Sequence, residues 1–381
     1  MARVKLIVDK QDVAPAHYPL IDELAALRGR VSGPSTIVLH SPGLARPWNQ
    51  VSEYLHRDSI VEPRHAEIAV CATARERDCG YVWNAHVPLA LKAGVARQSV
   101  AAVADRRPAA ELPEPERTVV LYAQQLLRDN RVDGEVFDRL LTAHGAQWLV
   151  ELTVWIGRYA ALSGILNAFE VTHASPAEVL PSVPAPARPP STGRAPLAVP
   201  RVPPIVTREQ VPEEHRAVFD ALAGERGGIR GPFPWLLQSP LLCGRHLEVG
   251  TFLRSSSQVA AAPRELAIIA VAREKACPYV WAAHAPAARK AGVSDAAVTT
   301  VRDRGDAVDL RSAERDVVDY GRQLLRNSRV MQPLFDRLRA EYGVTWLVEL
   351  TCLIGHYGIV SDVLNAFEVA PAPGAEQLPL A

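Results

Sequence analysis

The stretch Cys79-Gly-Tyr-Val-Trp-Asn-Ala-His86 returns later in the chain as Cys277-Pro-Tyr-Val-Trp-Ala-Ala-His284. The displacement of 198 residues holds without a gap from Val8, against Val206, to Val171, against Val369. WLVELT at 148–153 recurs at 346–351, LNAFEV at 166–171 at 364–369, and KAGV at 92–95 at 290–293. A 381-residue chain that repeats itself in this way is constrained to fold as two like units, each long enough to bury a core. A side chain kept in both copies marks something that the fold or a site requires. The repeat places a first domain at 1–171 and a second at 205–372, with a tail at 373–381. Ten of the 31 prolines fall in 172–204, so this stretch reads as a semi-rigid, extended linker.

Within each copy Ala, Leu, Arg and Glu dominate, and apolar residues recur at three- and four-residue spacing. This predicts two all-α bundles of about six helices each. Ser59, Pro113 and Pro263 mark helix starts, and Gly94 and Gly292 mark stops. The segment from Trp148 to Phe169 is apolar nearly all round, which predicts a central buried helix. Lys and Arg number 42, as do Asp and Glu, so no net charge favours nucleic acid or an acidic membrane surface. No apolar run stands out as a membrane span, and the N-terminus lacks the pattern of a signal peptide. Five cysteines without disulfide-framework spacing suit reduced thiols in the cytoplasm.

Val82, Trp83 and His86 follow Cys79 by three, four and seven residues, the spacing of one helix face. Glu67 stands twelve residues before Cys79, and Glu265 twelve before Cys277. Both copies therefore keep Glu-x11-Cys-x6-His. Arg-Asp-Cys-Gly and Lys-Ala-Cys-Pro read as breaks between helices, placing each cysteine at a helix N-terminus whose free N–H groups favour a thiolate. One His and one Glu per copy fall short of a zinc ligand set, so no metal is expected. Glu67 with His86, and Glu265 with His284, make an acid–base pair in each copy. Tyr81, Trp83, Tyr279 and Trp281 are candidate walls of a substrate site. Glu151 and Glu349, in the apolar helix, call for polar partners, with Arg158 and His356 seven residues on.

The C-x-Y-x-W-x-x-H string, with PLALKAGV at 88–95, resembles the carboxymuconolactone decarboxylase family, which includes the alkyl hydroperoxidase D-like proteins. The resemblance covers both copies. It implies an all-α fold of the alkyl hydroperoxidase D-like type, assembled from several like subunits. It also implies either a redox site of pattern Glu-x11-Cys-x2-Cys-x3-His, or a decarboxylase site that uses the His without metal or organic cofactor. Positions 82 and 280 should carry the second cysteine of the redox pattern, and both hold valine. A dithiol cycle lacks its partner thiol. The expected function is therefore a cofactor-independent lyase acting on a small organic acid, lactone or polyketide-like molecule. A single-cysteine thiol peroxidase, a rearrangement or cyclisation catalyst, and a non-catalytic scaffold remain as alternatives. The copies differ at His40 and Gln238, Trp48 and His246, Asn84 and Ala282, and Arg158 and His356. Either the two halves serve different substrates, or one completes the other in an intrachain pseudo-dimer, with further homo-oligomers open.

Overall fold

Every regular element in the computed structural model, which describes residues 2–173, 177–184 and 195–379, is helical. The first half contains α1 (Tyr18–Arg28), α2 (Ser35–Val38), α3 (Pro42–Arg57), α4 (Pro63–Glu76), α5 (Gly80–Lys92), α6 (Arg97–Ala104), α7 (Glu116–Arg128) and α8 (Gly134–Ala168). The second contains α9 (Arg216–Arg226), α10 (Phe233–Leu236), α11 (Pro240–Ser255), α12 (Ala261–Glu274), α13 (Pro278–Lys290), α14 (Asp295–Arg302), α15 (Ser312–Asn327) and α16 (Gln332–Ala366). Each helix of the second half starts 198 residues after its counterpart, except α15, which starts two residues early. The count exceeds six per half because α2 and α10 are single turns and α6 and α14 barely two, too short for a 3.6-residue period to register.

Gly94 and Gly292 take positive φ just past α5 and α13 and end those helices as expected. Ser59 does not cap α4, which starts at Pro63; its hydroxyl is given instead to Glu151. Helix α7 starts at Glu116, three residues after Pro113, while Pro263 sits in the first turn of α12. Both long helices break at a glycine, Gly145 (φ 84°) and Gly343 (φ 85°), a conformation open to a residue without Cβ. Beyond the break they are apolar on all sides. Contrary to the sequence reading, α8 and α16 do contain stretches long and apolar enough to cross a membrane, but 89% of each such stretch is buried inside the protein. Their apolarity serves the core.

The recurrence runs further than the sequence boundaries placed it. Arg3 and Arg201 are equivalent: their backbone N–H groups donate to Phe169 O and Phe367 O, each at 3.0 Å. At the other end, AEVLP at 177–181 matches AEQLP at 375–379. Arg75 donates to Pro181 O and Arg273 to Pro379 O, tying each strap back to its own half. Residues 174–176 and 185–194 of the predicted linker lie outside the described residues. Its described parts are docked rather than extended free.

The halves grip one another reciprocally. Glu151 is fully buried on α8. It accepts from Tyr54 Oη (2.9 Å), Ser59 Oγ (2.7 Å), the Ile60 N–H (2.8 Å), Gln147 Nε2 (3.0 Å) and, across the interface, Ser239 Oγ (2.8 Å). Glu349 on α16 accepts from Ser257 Oγ (2.8 Å), the Gln258 N–H (2.5 Å) and, from the first half, Ser41 Oγ (2.6 Å). The polar partners that these glutamates require are thus hydroxyls and N–H groups, not Arg158 and His356. Arg3 reaches Val330 O and lies over Phe335, while Arg201 reaches Val132 O and lies over Phe137. Phe137 meets Phe367 edge-on at 5.3 Å, and Phe169 meets Phe335 at 5.2 Å.

Helices α8 and α16 cross on the equivalent glycines Gly157 and Gly355. A Cβ on Gly355 would stand 2.7 Å from the Ala161 Cβ, and one on Gly157 3.3 Å from the Ile359 backbone. Gly355→Ala is expected to overpack this crossing and cost about 1–3 kcal/mol. Ser41→Ala and Ser239→Ala, which each remove one donor to a buried carboxylate, are expected to cost about 1–2 kcal/mol apiece. Urea denaturation of each variant against the parent chain checks both values.

Candidate functional site

Two helices in each half position the acid–base pair. Helix α4 carries Glu67 and α5 carries His86; α12 carries Glu265 and α13 carries His284. Three residues separate each helix pair. The middle one, Asp78 or Ala276, takes positive φ and turns the chain back so that the two helices pack side by side. Glu67 Oε2 lies 2.8 Å from His86 Nδ1, and Glu265 Oε2 lies 2.7 Å from His284 Nδ1. A carboxylate can only accept, so Nδ1–H donates in each pair. This fixes the tautomer and leaves Nε2 with the basic lone pair.

The surroundings of the two pairs differ. His86 packs edge-on against Tyr159 at 4.7 Å, and His56 lies beside it with Nε2 2.8 Å from Tyr159 Oη. Trp155 closes on His56 at 4.9 Å. In the second half Leu353 stands in place of Trp155 and Arg254 in place of His56. His284 lies edge-on to Tyr357 at 5.1 Å, and its side chain is 22% exposed against 11% for His86. It faces a cavity of about 160 Å³, whose polar walls are Arg230, Arg254, Tyr279, His284, His356 and Tyr357. Among the described residues no Asp or Glu lines it. Glu265 lies behind His284, 3.7 Å from Arg264 Nε.

The remaining candidates separate into two groups. Tyr279 lines the cavity, its hydroxyl accepting the Gly231 N–H at 3.0 Å, and Tyr81 packs in the same manner against Gly33. Trp281 is not among the residues that line this cavity. Trp83 and Trp281 are both sealed in the core. Cys79 and Cys277 are N-cap residues of α5 and α13, as the helix break predicts. The expected thiolate is not favoured, because both are fully buried. Burial pushes the Cys79 thiol up and the Cys277 thiol up to about 11, outweighing the backbone N–H groups and the Ser163 or Ser361 hydroxyl that pull the other way. Cys71, Cys243 and Cys352 are buried and unbridged as well. Among the described residues no three His, Cys, Asp or Glu side chains converge as a metal site would require.

Residues 247–322 match the carboxymuconolactone decarboxylase family, to which this segment is similar. The matched segment runs from within α11 into α15 and includes Glu265, Cys277 and His284. A search of curated proteins found no match to this chain. Sequence reasoning missed Arg230, Arg254, His56 and the Tyr159/Tyr357 pair. The tyrosines recur at the 198-residue displacement and were legible on that ground. The arginines differ between copies, and only packing shows that they reach the cavity.

The buried thiols give a direct expectation. In the folded chain at mildly alkaline pH, iodoacetamide leaves Cys79 and Cys277 unmodified, whereas in denaturant all five cysteines react. Intact mass with a mapped digest reads the difference.

Proposed function

We propose that the second half is the working site of a cofactor-independent acid–base enzyme, a lyase of the decarboxylase type, with His284 as the proton-transfer group. The observation that carries this reading is the His284–Glu265 pair on a cavity walled, among the described residues, by two arginines and no carboxylate. Glu265 holds the imidazole by Nδ1 and stabilises the imidazolium that forms when Nε2 takes a proton. Arg230 and Arg254 suit a substrate that bears negative charge. A cavity of about 150 Å³ accommodates benzene, so a single-ring organic acid or lactone fits the space. Nε2 of His284 first takes the proton of the substrate's carboxyl group. As carbon dioxide leaves the resulting β-keto or vinylogous carboxylate, its bonding pair flows into the carbonyl, and the same proton passes from His284 to the enolate carbon. A positioned acid of this kind contributes roughly 10²–10⁴-fold.

Burial of Cys79 and Cys277 argues against a thiol peroxidase, whose nucleophile must be a reachable thiolate. In this reading the first half is a second domain of the same family that completes the intrachain pseudo-dimer. Further copies of the chain could assemble on it. The partner is a small molecule rather than nucleic acid or a membrane, and the unbridged cysteines suit the cytoplasm.

The test is turnover of a panel of single-ring keto acids and lactones. His284→Ala is expected to lower kcat by about 10² or more, with unchanged helical circular dichroism. His86→Ala is expected to leave kcat within about twofold of the parent. Equal loss in the two variants would assign work to both halves, and no loss in His284→Ala would end the reading.

A further inference from the structure

Tyr279, Val280, Ala283 and His284 of α13 all line the cavity. Steps of one, four and five residues lie on one broad face of a helix. That face therefore carries a polar side chain at each end and an apolar floor between them. The five-residue step from Tyr279 to His284 is a rise of about 7.5 Å along the helix, room for one six-membered ring between the two polar groups. The Tyr279 hydroxyl is fixed on its other side. It accepts the Gly231 N–H at 3.0 Å, and Gly231 takes φ 68°, a left-handed conformation that favours glycine. A phenol oxygen that accepts in this way still has its own proton to donate. Among the described residues nothing accepts that proton. The bond it accepts also polarises the O–H and makes it a better donor. His356, another polar residue of the wall, is only 4% exposed and has its Nε2 packed closely against Gly250.

We propose that Tyr279 donates a hydrogen bond to the carbonyl oxygen of the substrate and to the enolate oxygen it becomes, while His284 works at the reacting carbon. The assignment rests on the reading of His284 as the proton-transfer group and adds the donor that this chemistry requires. As the C–C bond to the departing carboxylate breaks, its electron pair moves into the carbonyl. The negative charge then gathers on the oxygen that faces the Tyr279 O–H, and the hydrogen bond strengthens. The phenol keeps its proton throughout. Delivery of the proton from His284 to the carbon restores the C=O bond, and the hydrogen bond weakens again. A donor that holds the charged oxygen more tightly than the carbonyl lowers the barrier rather than only holding the substrate. The Gly231 N–H is part of the device, because it turns the phenol oxygen into an acceptor on the loop side and leaves its O–H for the cavity.

The probe is 4-oxocyclohexanecarboxylate, isotope-labelled at its carbonyl carbon and titrated into the full-length chain. Its carboxylate is too remote from the carbonyl to leave as carbon dioxide, so it binds without turnover. Carbon NMR reads the carbonyl, whose resonance moves downfield as the hydrogen bond to its oxygen strengthens. Bound to the parent chain, the resonance is expected at or downfield of its position in water. Tyr279→Phe removes only the phenol oxygen. It is expected to move the bound resonance upfield, toward its position in an apolar solvent, and to weaken binding by up to about tenfold. Cyclohexanecarboxylate, the same ring without the carbonyl, is expected to bind both chains equally. His284→Ala is expected to leave the carbonyl resonance as in the parent. No binding by the parent chain, or the same resonance in parent and Tyr279→Phe, overturns the proposal. Equal loss of affinity for the two ligands also overturns it, since the tyrosine would then only brace the Gly231 loop. If Tyr279→Phe fails to fold, 3-fluorotyrosine at position 279, a stronger donor of nearly the same size, must move the resonance further downfield, and no movement overturns the proposal. Full turnover in His284→Ala with the resonance still governed by Tyr279 would remove the His284 reading and keep Tyr279 as the carbonyl donor.

Discussion

Two buried carboxylates hold this chain in its arrangement. Glu151 and Glu349 sit on the central helices α8 and α16, and each takes a serine hydroxyl from the opposite half as well as donors from its own. A carboxylate in an apolar core is costly unless every lone pair is met. Neither half alone can meet them all. Association of the halves is therefore part of folding each one. The same reciprocity governs Arg3 and Arg201, the two phenylalanine pairs and the glycine crossing.

The site inherits its rigidity from this frame. Helices α4 and α12 pack on the central helices and carry the glutamates. Helices α5 and α13 return from a three-residue break and carry the histidines. Trp83, Trp281, Cys79 and Cys277 anchor the start of these return helices in the core. A Cys at the N-cap would make a reactive thiolate if water reached it, but burial raises its pKa instead. The motif thus keeps its Glu–His pair in place, while its cysteines are buried in the core.

Within a nearly symmetric frame, the two halves differ at a few buried positions. At the boundary between the halves Lys275 pairs with Asp362 in full burial, where the first half has Arg77 and Gly164. Burial lowers the Lys275 pKa and raises that of Asp362. Around the sites, the closed Trp48–Arg158 stack gives way to the His246–His356 stack, with Gly250 packed closely against Arg254 and His356. A pseudo-dimer fused into one chain is free to change one copy without the other, which identical subunits cannot do.

The all-helical class, the repeat, and the pairing of Glu67 with His86 and of Glu265 with His284 were legible because they depend on local periodicity and fixed spacing. The ends of the repeat run further than the sequence reading placed them: RVKLIV at 3–8 matches RVPPIV at 201–206, and the identical backbone partners of Arg3 and Arg201 show the equivalence. The apolar stretches of α8 and α16 look the same in sequence whether they face lipid or protein, and only tertiary packing shows that they are buried in a core. Sequence also placed Trp281 and Tyr279 on one candidate wall, two residues apart. The helix turns their side chains about 200° from one another, so one enters the core and the other the cavity. Arg254 and His356 are about a hundred residues apart in the chain. Their convergence over Gly250 depends on how α11 and α16 cross, which no local pattern encodes.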